Sequence, residues 1–509
     1  MTSVRRGLAW MAFSQVSLFV LQFVVSILVA RLLSPYEMGI FAVAVSTVGL
    51  LATIRSFGLG SFLIRVEEWS RPLVSTVFTI NAVLALTLSA AVTGLSVLGS
   101  AALEEVGVRQ VLLIMAIVPL ISIFDFLPTA GLERRGEFKT IALINLVRYT
   151  TANLLTLALA YAGHGFMSLA YGQVASAVMA AVMSNGFGWQ YAHLRLGLSE
   201  HRTVLRFGLQ VLTTSGLGGF SGRLSDLILA KMLGLSALGL YSRAGSLTGV
   251  LWENLHAIVL RVLLVDFAEQ RRQGKSLRDS YLHTMRLLTA AFWPPLIGMA
   301  VISGPLVLLL FGDAWYGVVL PLSFLAVSTA VVIPIIMAWD IFILCSETGK
   351  QVRIEVMRAL VSFGLLFAGC LFDLDAVAAL AILSSVFSLL IYQPHLERMT
   401  DTTWSDYMPI YGQGSLLTAA AVLPAAGVMT IYGWSANTPL LPLLAGITVG
   451  VLAWMWTLRV LHHPLYQEAF RILSGVRRAT VRSDIGAVGG TDPSELTLGV
   501  PSSDRGRFG

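Results

Sequence analysis

The sequence predicts an all-α polytopic membrane protein with about 14 transmembrane helices. They form two pseudo-symmetric six-helix lobes plus two C-terminal helices. Three observations lead there. The 509 residues are 56% hydrophobic and only 12% charged, with a mean hydropathy of +0.79, whereas soluble domains carry about 25% charged residues. Apolar stretches of about 18 or more residues recur along nearly the whole chain, each long enough to cross ~30 Å of hydrocarbon. They lack strand-like alternation, so helices satisfy the backbone. Finally, Ala30-Arg31-Leu32-Leu33, Gly39-Ile40-Phe41 and Ala44 recur 200 positions later as Ala230-Lys231-Met232-Leu233, Gly239-Leu240-Tyr241 and Ala244. A shared offset over both segments indicates two homologous halves, each opening with a helical hairpin that carries a cation near its turn. Duplicated membrane halves place a translocation path at their interface.

The expected spans are 8–30, 39–54, 73–97, 110–130, 140–162 and 166–187 in an N-lobe (1–187). Spans 208–233, 238–261, 285–311, 317–345, 353–371 and 376–396 form a C-lobe (208–397). Spans 409–433 and 439–461 occupy residues 398–461. Residues 188–207 mix aromatic, apolar and basic side chains and read as a cytoplasmic interfacial linker helix. Residues 462–479 read as a second amphipathic surface segment. From about 480, Gly, Ser, Thr, Asp and Pro dominate, the composition of a disordered tail.

Short connections on one side hold Arg65, Arg71, Arg134, Arg135, Lys139, Arg195, Arg202, Arg206, Arg271, Arg272, Lys275, Arg278, Lys350 and Arg353. Those on the other side hold little beyond Arg31, Arg109 and Lys231. The positive-inside rule therefore puts both termini in the cytoplasm. The net charge of +6 suits anionic headgroups at that surface; no folded basic module for nucleic acid is visible. Cys345 and Cys370 fall near opposite faces on this map, too far apart for a disulfide. No metal-ligand spacing occurs, and no cofactor is expected.

Ionisable residues within spans cost about 2.5–3.5 kcal/mol each and normally face a polar interior. Arg31 and Lys231 lie at outer span ends, Arg243 about a turn into span 8, and Arg223 near the middle of span 7. Arg148 lies in the inner half of span 5, and Arg55 at the inner end of span 2. These six are the candidate substrate-binding residues: cations at graded depth suit an anionic cargo, and guanidinium forks suit phosphate oxygens. Arg31, Lys231 and Arg55 have an alternative role in snorkelling to headgroups, and Arg223 has one in pairing with Asp226, three residues on. Asp125 and Asp340 are the candidates for ion coupling. No carboxylate pair, Ser/His/Asp arrangement or nucleotide-binding loop accompanies them, so the expectation is that the chain is not an enzyme. Pro119, Pro128, Pro294-Pro295, Pro321 and Pro334 mark candidate kinks.

Residues 31–35 (RLLSP) with Gly39, 58–64 (GLGSFLI), 131–138 (GLERRGEF), 238–244 (LGLYSRA) and 312–315 (GDAW) together resemble the Wzx-like oligosaccharide flippases of the multidrug/oligosaccharidyl-lipid/polysaccharide (MOP) superfamily. The resemblance covers roughly residues 1–400 and rests on the ordered set, since each motif alone is degenerate. It implies two six-helix lobes alternating between inward-open and outward-open states. The implied cargo is an oligosaccharide on undecaprenyl pyrophosphate, carried outward across a bacterial inner membrane for exopolysaccharide, O-antigen or capsule synthesis. Membrane lipids and the polysaccharide polymerase and export machinery are the implied partners. Pyrophosphate would lie among Arg55, Arg148, Arg223 and Arg243, with the lipid tail guided by spans 13 and 14. Lipid II flippases and drug exporters share the fold. A polymerase, ligase or glycosyltransferase of the same pathway is the rival of another class; it would be expected to carry a large catalytic loop or an acidic metal-binding motif, and neither is present.

Overall fold

The computed structural model describes residues 2–55, 58–103, 105–192 and 195–467, with side chains described except at 2–16, 54–55, 98–103, 210–219, 251–266 and 268. The expected surface segment and tail thus lie almost wholly outside the described residues. The helices are α1 (Thr2–Leu32), α2 (Pro35–Arg55), α3 (Leu59–Arg65), α4 (Arg71–Leu103), α5 (Val106–Met115), α6 (Ile117–Arg134), α7 (Phe138–Tyr161), α8 (Met167–Gly188), α9 (His201–Leu233) and α10 (Leu235–Arg272). They continue with α11 (Arg278–Val301), α12 (Ser303–Phe311), α13 (Val319–Val332), α14 (Ala338–Leu344), α15 (Thr348–Cys370), α16 (Leu374–Thr400), α17 (Trp404–Ile431) and α18 (Leu440–Val460). No strand occurs among the described residues. Every expected span coincides with one helix or a broken pair, and 10 described helical segments are long and apolar enough to cross a membrane. The chain is a multi-pass membrane protein.

The breaks have local causes. Helix α5 ends at Met115, four residues before Pro119, and α11 ends at Val301, four before Pro305. A proline ring clashes with the carbonyl four residues back and offers it no N–H, so each helix closes there and a new one begins. Pro334 lies in the 3₁₀ turn Ile333–Ile335 that separates α13 from α14. Pro294 and Pro295, by contrast, lie inside an uninterrupted α11. The segment after α8 is not the expected helix. Among its described residues, Trp189–Tyr191 forms a 3₁₀ turn, residues 195–198 have no regular structure, and residues 201–207 are the first turns of α9.

Gly131, in the GLERRGEF segment, explains how that stretch is held. A Cβ there would lie 2.3 Å from the Tyr191 ring, so only glycine lets the ring rest on α6. Arg135 stacks over the same ring and Arg134 over Trp69. Beyond the gap, the Gly197 amide donates to Thr79 Oγ1 of α4 at 2.9 Å.

The repeated hairpins meet at their turns. Ser34 starts α2 with a capping box: its amide and hydroxyl both donate to the Glu37 carboxylate, and Pro35 takes the first helical position, which needs no N–H. In the second copy Gly234 turns the chain at φ 89°, a conformation that favours glycine. Helices α2 and α10 then cross backbone on backbone. A Cβ on Gly39 would lie 1.9 Å from the Leu235 carbonyl oxygen, and a Cβ on Gly239 would lie 1.9 Å from that of Pro35. The two contacts are images of one another under the 200-residue offset. We call this end of the molecule the distal end.

Alanine at Gly39 or Gly239 therefore overpacks the crossing and lowers stability by about 1–3 kcal/mol. Alanine at Gly349, on α15, meets open space and shifts it by no more than about 0.5 kcal/mol. Thermal melts of the purified protein check this; equal melting of Gly39→Ala and Gly349→Ala contradicts the crossing.

Candidate functional site

Below the crossing three cavities adjoin. The middle one, about 530 Å³, is walled by α1, α9 and α10 with Phe311, and carries Arg223, Asp226 and Arg243. A second, about 360 Å³, extends among α1, α2, α7, α8 and α10, and shares Gln22, Ser26, Ser242, Arg243 and Ser246 with the first. A third, about 520 Å³, is an apolar groove built by α1, α10, α11, α12, α17 and α18. It shares Phe23, Leu247 and Val250 with the middle chamber. A chamber lined mainly by neutral polar and apolar side chains, a cationic chamber and an apolar groove thus follow one another.

Arg243 sits on the wall between the first two. It is 6% exposed. Nη1 donates to Ser26 Oγ at 2.6 Å, Nη2 approaches Met38 Sδ at 3.7 Å, and Nε has no partner among the described residues. The guanidinium carbon lies 5.1 Å from the Phe311 ring centre and 5.3 Å from that of Trp315. Aromatic faces compensate a desolvated cation electrostatically. The GDAW segment builds this cage: Gly312 turns the chain at φ 88°, and Trp315 Nε1 donates to the Ala30 carbonyl at 2.7 Å.

Arg223 reaches from α9 across α2, and a Cβ on Gly49 would lie 2.9 Å from its Nε. Asp226 accepts from Ser46 Oγ of α2 at 2.6 Å. No salt bridge joins Arg223 to Asp226 among the described residues, so the expected internal pair gives way to two contacts across to α2.

The remaining candidates do not enter these chambers. Arg31 donates from Nε and Nη2 to the carbonyls of Leu310 and Leu309, capping the C-terminus of α12 where four carbonyls lack helical partners. Lys231 is exposed in the last turn of α9. Arg148 is stacked on its neighbour Tyr149 at 4.5 Å and donates to that hydroxyl at 2.9 Å; Tyr149, not Arg148, lines the polar chamber. The side chain of Arg55 lies outside the described residues. Asp125, in α6, and Asp340, in the first turn of α14, line none of the three cavities. Among the described residues no cluster of His, Cys, Asp and Glu would hold a metal. Cys345 and Cys370 are free thiols.

Several residues escaped the sequence reading. Ser26 and Ser46 bridge helices and Gly49 admits Arg223; Ser46/Ser246 and Gly49/Gly249 share the 200-residue offset, so a longer alignment of the two copies exposes those two positions, but Ser26 falls on Asp226 and is not marked by it. On α15, Arg358 pairs with Glu355, which also accepts from the Tyr392 hydroxyl at 3.0 Å. This ion pair within span 11 is self-contained and lines none of the three cavities.

Ser26→Ala strands a buried guanidinium N–H and lowers stability by about 1–3 kcal/mol, while Ser26→Thr keeps the hydroxyl and most of the stability. Melting of the two variants measures it; equal loss in both denies the hydrogen bond.

A family model described as "Polysaccharide biosynthesis protein" matches residues 28–320. The chain is 24% identical to the lipopolysaccharide biosynthesis protein WzxC of Escherichia coli K12 over 63% of its length and 66% of the relative's. It is also 24% identical to the succinoglycan biosynthesis transport protein ExoT of Rhizobium meliloti over 65% and 67%. The matches thus span about two thirds of these relatives. The fold is shared with an inward-closed lipid II flippase MurJ, at TM-score 0.70 and 11% identity over 89% of this chain and 99% of that one. It is shared too with an inward-facing multidrug transporter of the MOP superfamily, at TM-score 0.60 and 15% identity over 76% and 94%. The chain belongs to the polysaccharide biosynthesis protein family and shares its fold with these two solved transporters.

Proposed function

We propose that the protein is a flippase, not an enzyme, that carries an undecaprenyl-pyrophosphate-linked oligosaccharide across a bacterial inner membrane. On this reading α1–α8 and α9–α16 are two lobes of six spans each, with both termini cytoplasmic. The distal end is then periplasmic, and transport proceeds by alternating access. The observation that carries the reading is the junction of the cationic chamber with the apolar groove. Pyrophosphate is a compact dianion that matches Arg223 and Arg243, while a polyprenyl chain needs an apolar path continuous with the bilayer. Helices α17 and α18 supply one wall of that path, which gives the two last spans a role. The biosynthetic and transport names of WzxC and ExoT favour this cargo.

The direct test is a deletion strain: lipid-linked repeat units accumulate and are identified by mass spectrometry, and absence of any such intermediate contradicts the reading. Arg223→Ala with Arg243→Ala abolishes polymer export while the protein still inserts, and lysine at the same sites restores it in part, because an ammonium keeps the charge and loses the fork. Normal polymer from the double alanine variant sinks the cationic site.

A membrane potential drives this cargo outward without an obligatory carboxylate. Two negative charges moving toward the positive side gain about 2.3 kcal/mol each per 100 mV, roughly 4–5 together. Flipping in proteoliposomes under a potassium-diffusion potential checks this. Indifference to that potential, with strict dependence on Asp125 or Asp340 and an ion gradient, decides for ion coupling.

A further inference from the structure

The apolar groove ends beside a basic cluster on the face opposite the distal crossing. From Leu310 to Ala291 the groove follows α12 and α11, through most of the ~30 Å of hydrocarbon at 1.5 Å per residue. Its last residues there are Ala291 and Trp454. Just beyond, Trp454, Leu461 and Leu465 pack with Leu417 and Leu458 against Ala290. Arg286 stands one helical turn past Ala290 on α11, and His283 three residues further. His463 follows the end of α18 and is 2% exposed. Its Nδ1 accepts from the Leu465 amide at 3.2 Å, so the neutral ring carries its proton on Nε2.

These groups are short of partners. At the same end, Arg272, Arg278, Lys350 and Arg398 each pair with a carboxylate. The half-buried Arg286 guanidinium has neither salt bridge nor hydrogen bond among the described residues. Nε2 of His463 donates to nothing there, and the buried Trp454 Nε1 has no acceptor. Burial, and then the charges of Arg286 and His283 beside it, push the His463 imidazole down to about 4, so the three side chains lie close together. A guanidinium fork and N–H donors with no carboxylate among them suit phosphate oxygens.

We infer that Arg286, His283 and His463 form a loading site, which holds the pyrophosphate of the polyprenyl carrier at the cytoplasmic leaflet before it moves to Arg223 and Arg243. This rests on the flippase reading and adds its first step. The apolar groove holds the tail at both stages. With the headgroup at Arg286 the tail points toward the distal end; with the headgroup in the cationic chamber, which shares Phe23, Leu247 and Val250 with the groove, the tail points back. A phospholipid offers the same phosphate but two chains, whereas the carrier brings one chain to the one groove that leads from this cluster.

The test is equilibrium binding of undecaprenyl pyrophosphate to the full-length protein in phosphatidylcholine nanodiscs. Arg223→Ala with Arg243→Ala disables the chamber and leaves binding at the loading site, weakened by no more than about tenfold. Adding Arg286→Gln to that pair weakens binding at least about tenfold more, the size of one lost charge-assisted contact, whereas adding Arg286→Lys keeps most of it. In the unaltered protein, a photoreactive group on the terminal phosphate labels residues 283–286 and 459–466 as well as the chamber. Loss of all binding in the chamber variant, indifference to Arg286→Gln, or absence of label at 283–286 each overturns the loading site and leaves the flippase reading standing. Displacement of the carrier by an equal mole fraction of phosphatidylglycerol assigns the cluster to bulk anionic lipid and also overturns it. Failure of the unaltered protein to bind the carrier at all overturns the flippase reading and the loading site together.

Discussion

The backbone crossing at Gly39 and Gly239 is the constraint on which the rest of the site depends. Two helices approach this closely only where neither has a side chain, and a 1.9 Å separation from a carbonyl oxygen leaves no room for a methyl. Because each glycine meets the backbone four residues before the other, the contact is self-complementary, as a two-fold interface requires. It draws α2 and α10 together. Everything below it follows: Ser46 comes within reach of Asp226, Gly49 within reach of Arg223, and Arg243 within reach of α1.

Symmetry of backbone is combined with asymmetry of charge. Under the 200-residue offset, Phe23 corresponds to Arg223, Ser26 to Asp226 and Val43 to Arg243. The second copy carries the charges, and the first keeps apolar or neutral polar residues at the same stations. A symmetric dimer would place cations on both walls. Here Phe23 stands on the wall shared by the apolar groove and the middle chamber while Arg223 lines only the chamber, so the departures from the repeat contribute to the polar-to-apolar gradient across the site.

Much of the architecture was legible because bilayer thickness and hydropathy act locally: each apolar run became a helix, and prolines set two of the breaks. Within the repeated segments, Gly39 and Gly239 are the pair whose mutual contact the offset marks. Partners distant in sequence were not. Nothing near Arg31 announces that its fork caps α12, 278 residues away, and snorkelling and cation-path readings were equally consistent with its position. The depth of Arg148 in span 5 suggests that it faces a cavity, but its own neighbour Tyr149 holds it. Depth along a helix is written in the sequence; azimuth is not, unless polar spacing reveals it, as it does for Tyr149, Asn153 and Thr156.

Arg243 shows how a cation is kept in this interior. Desolvation disfavours the charge, and an isolated guanidinium in hydrocarbon would be costly. Two aromatic faces and one hydroxyl offset that cost in part, and the unpartnered Nε leaves the residue short of full satisfaction. A fully paired arginine would be inert, since a ligand would have to break as many bonds as it made. An unpaired one would destabilise the fold. Partial satisfaction, through a serine that also lines both polar chambers, leaves a dianionic ligand able to improve on what the protein provides. On the proposed reading that difference is the binding energy of the cargo's charged group, and it lies on the helix that also forms the distal crossing.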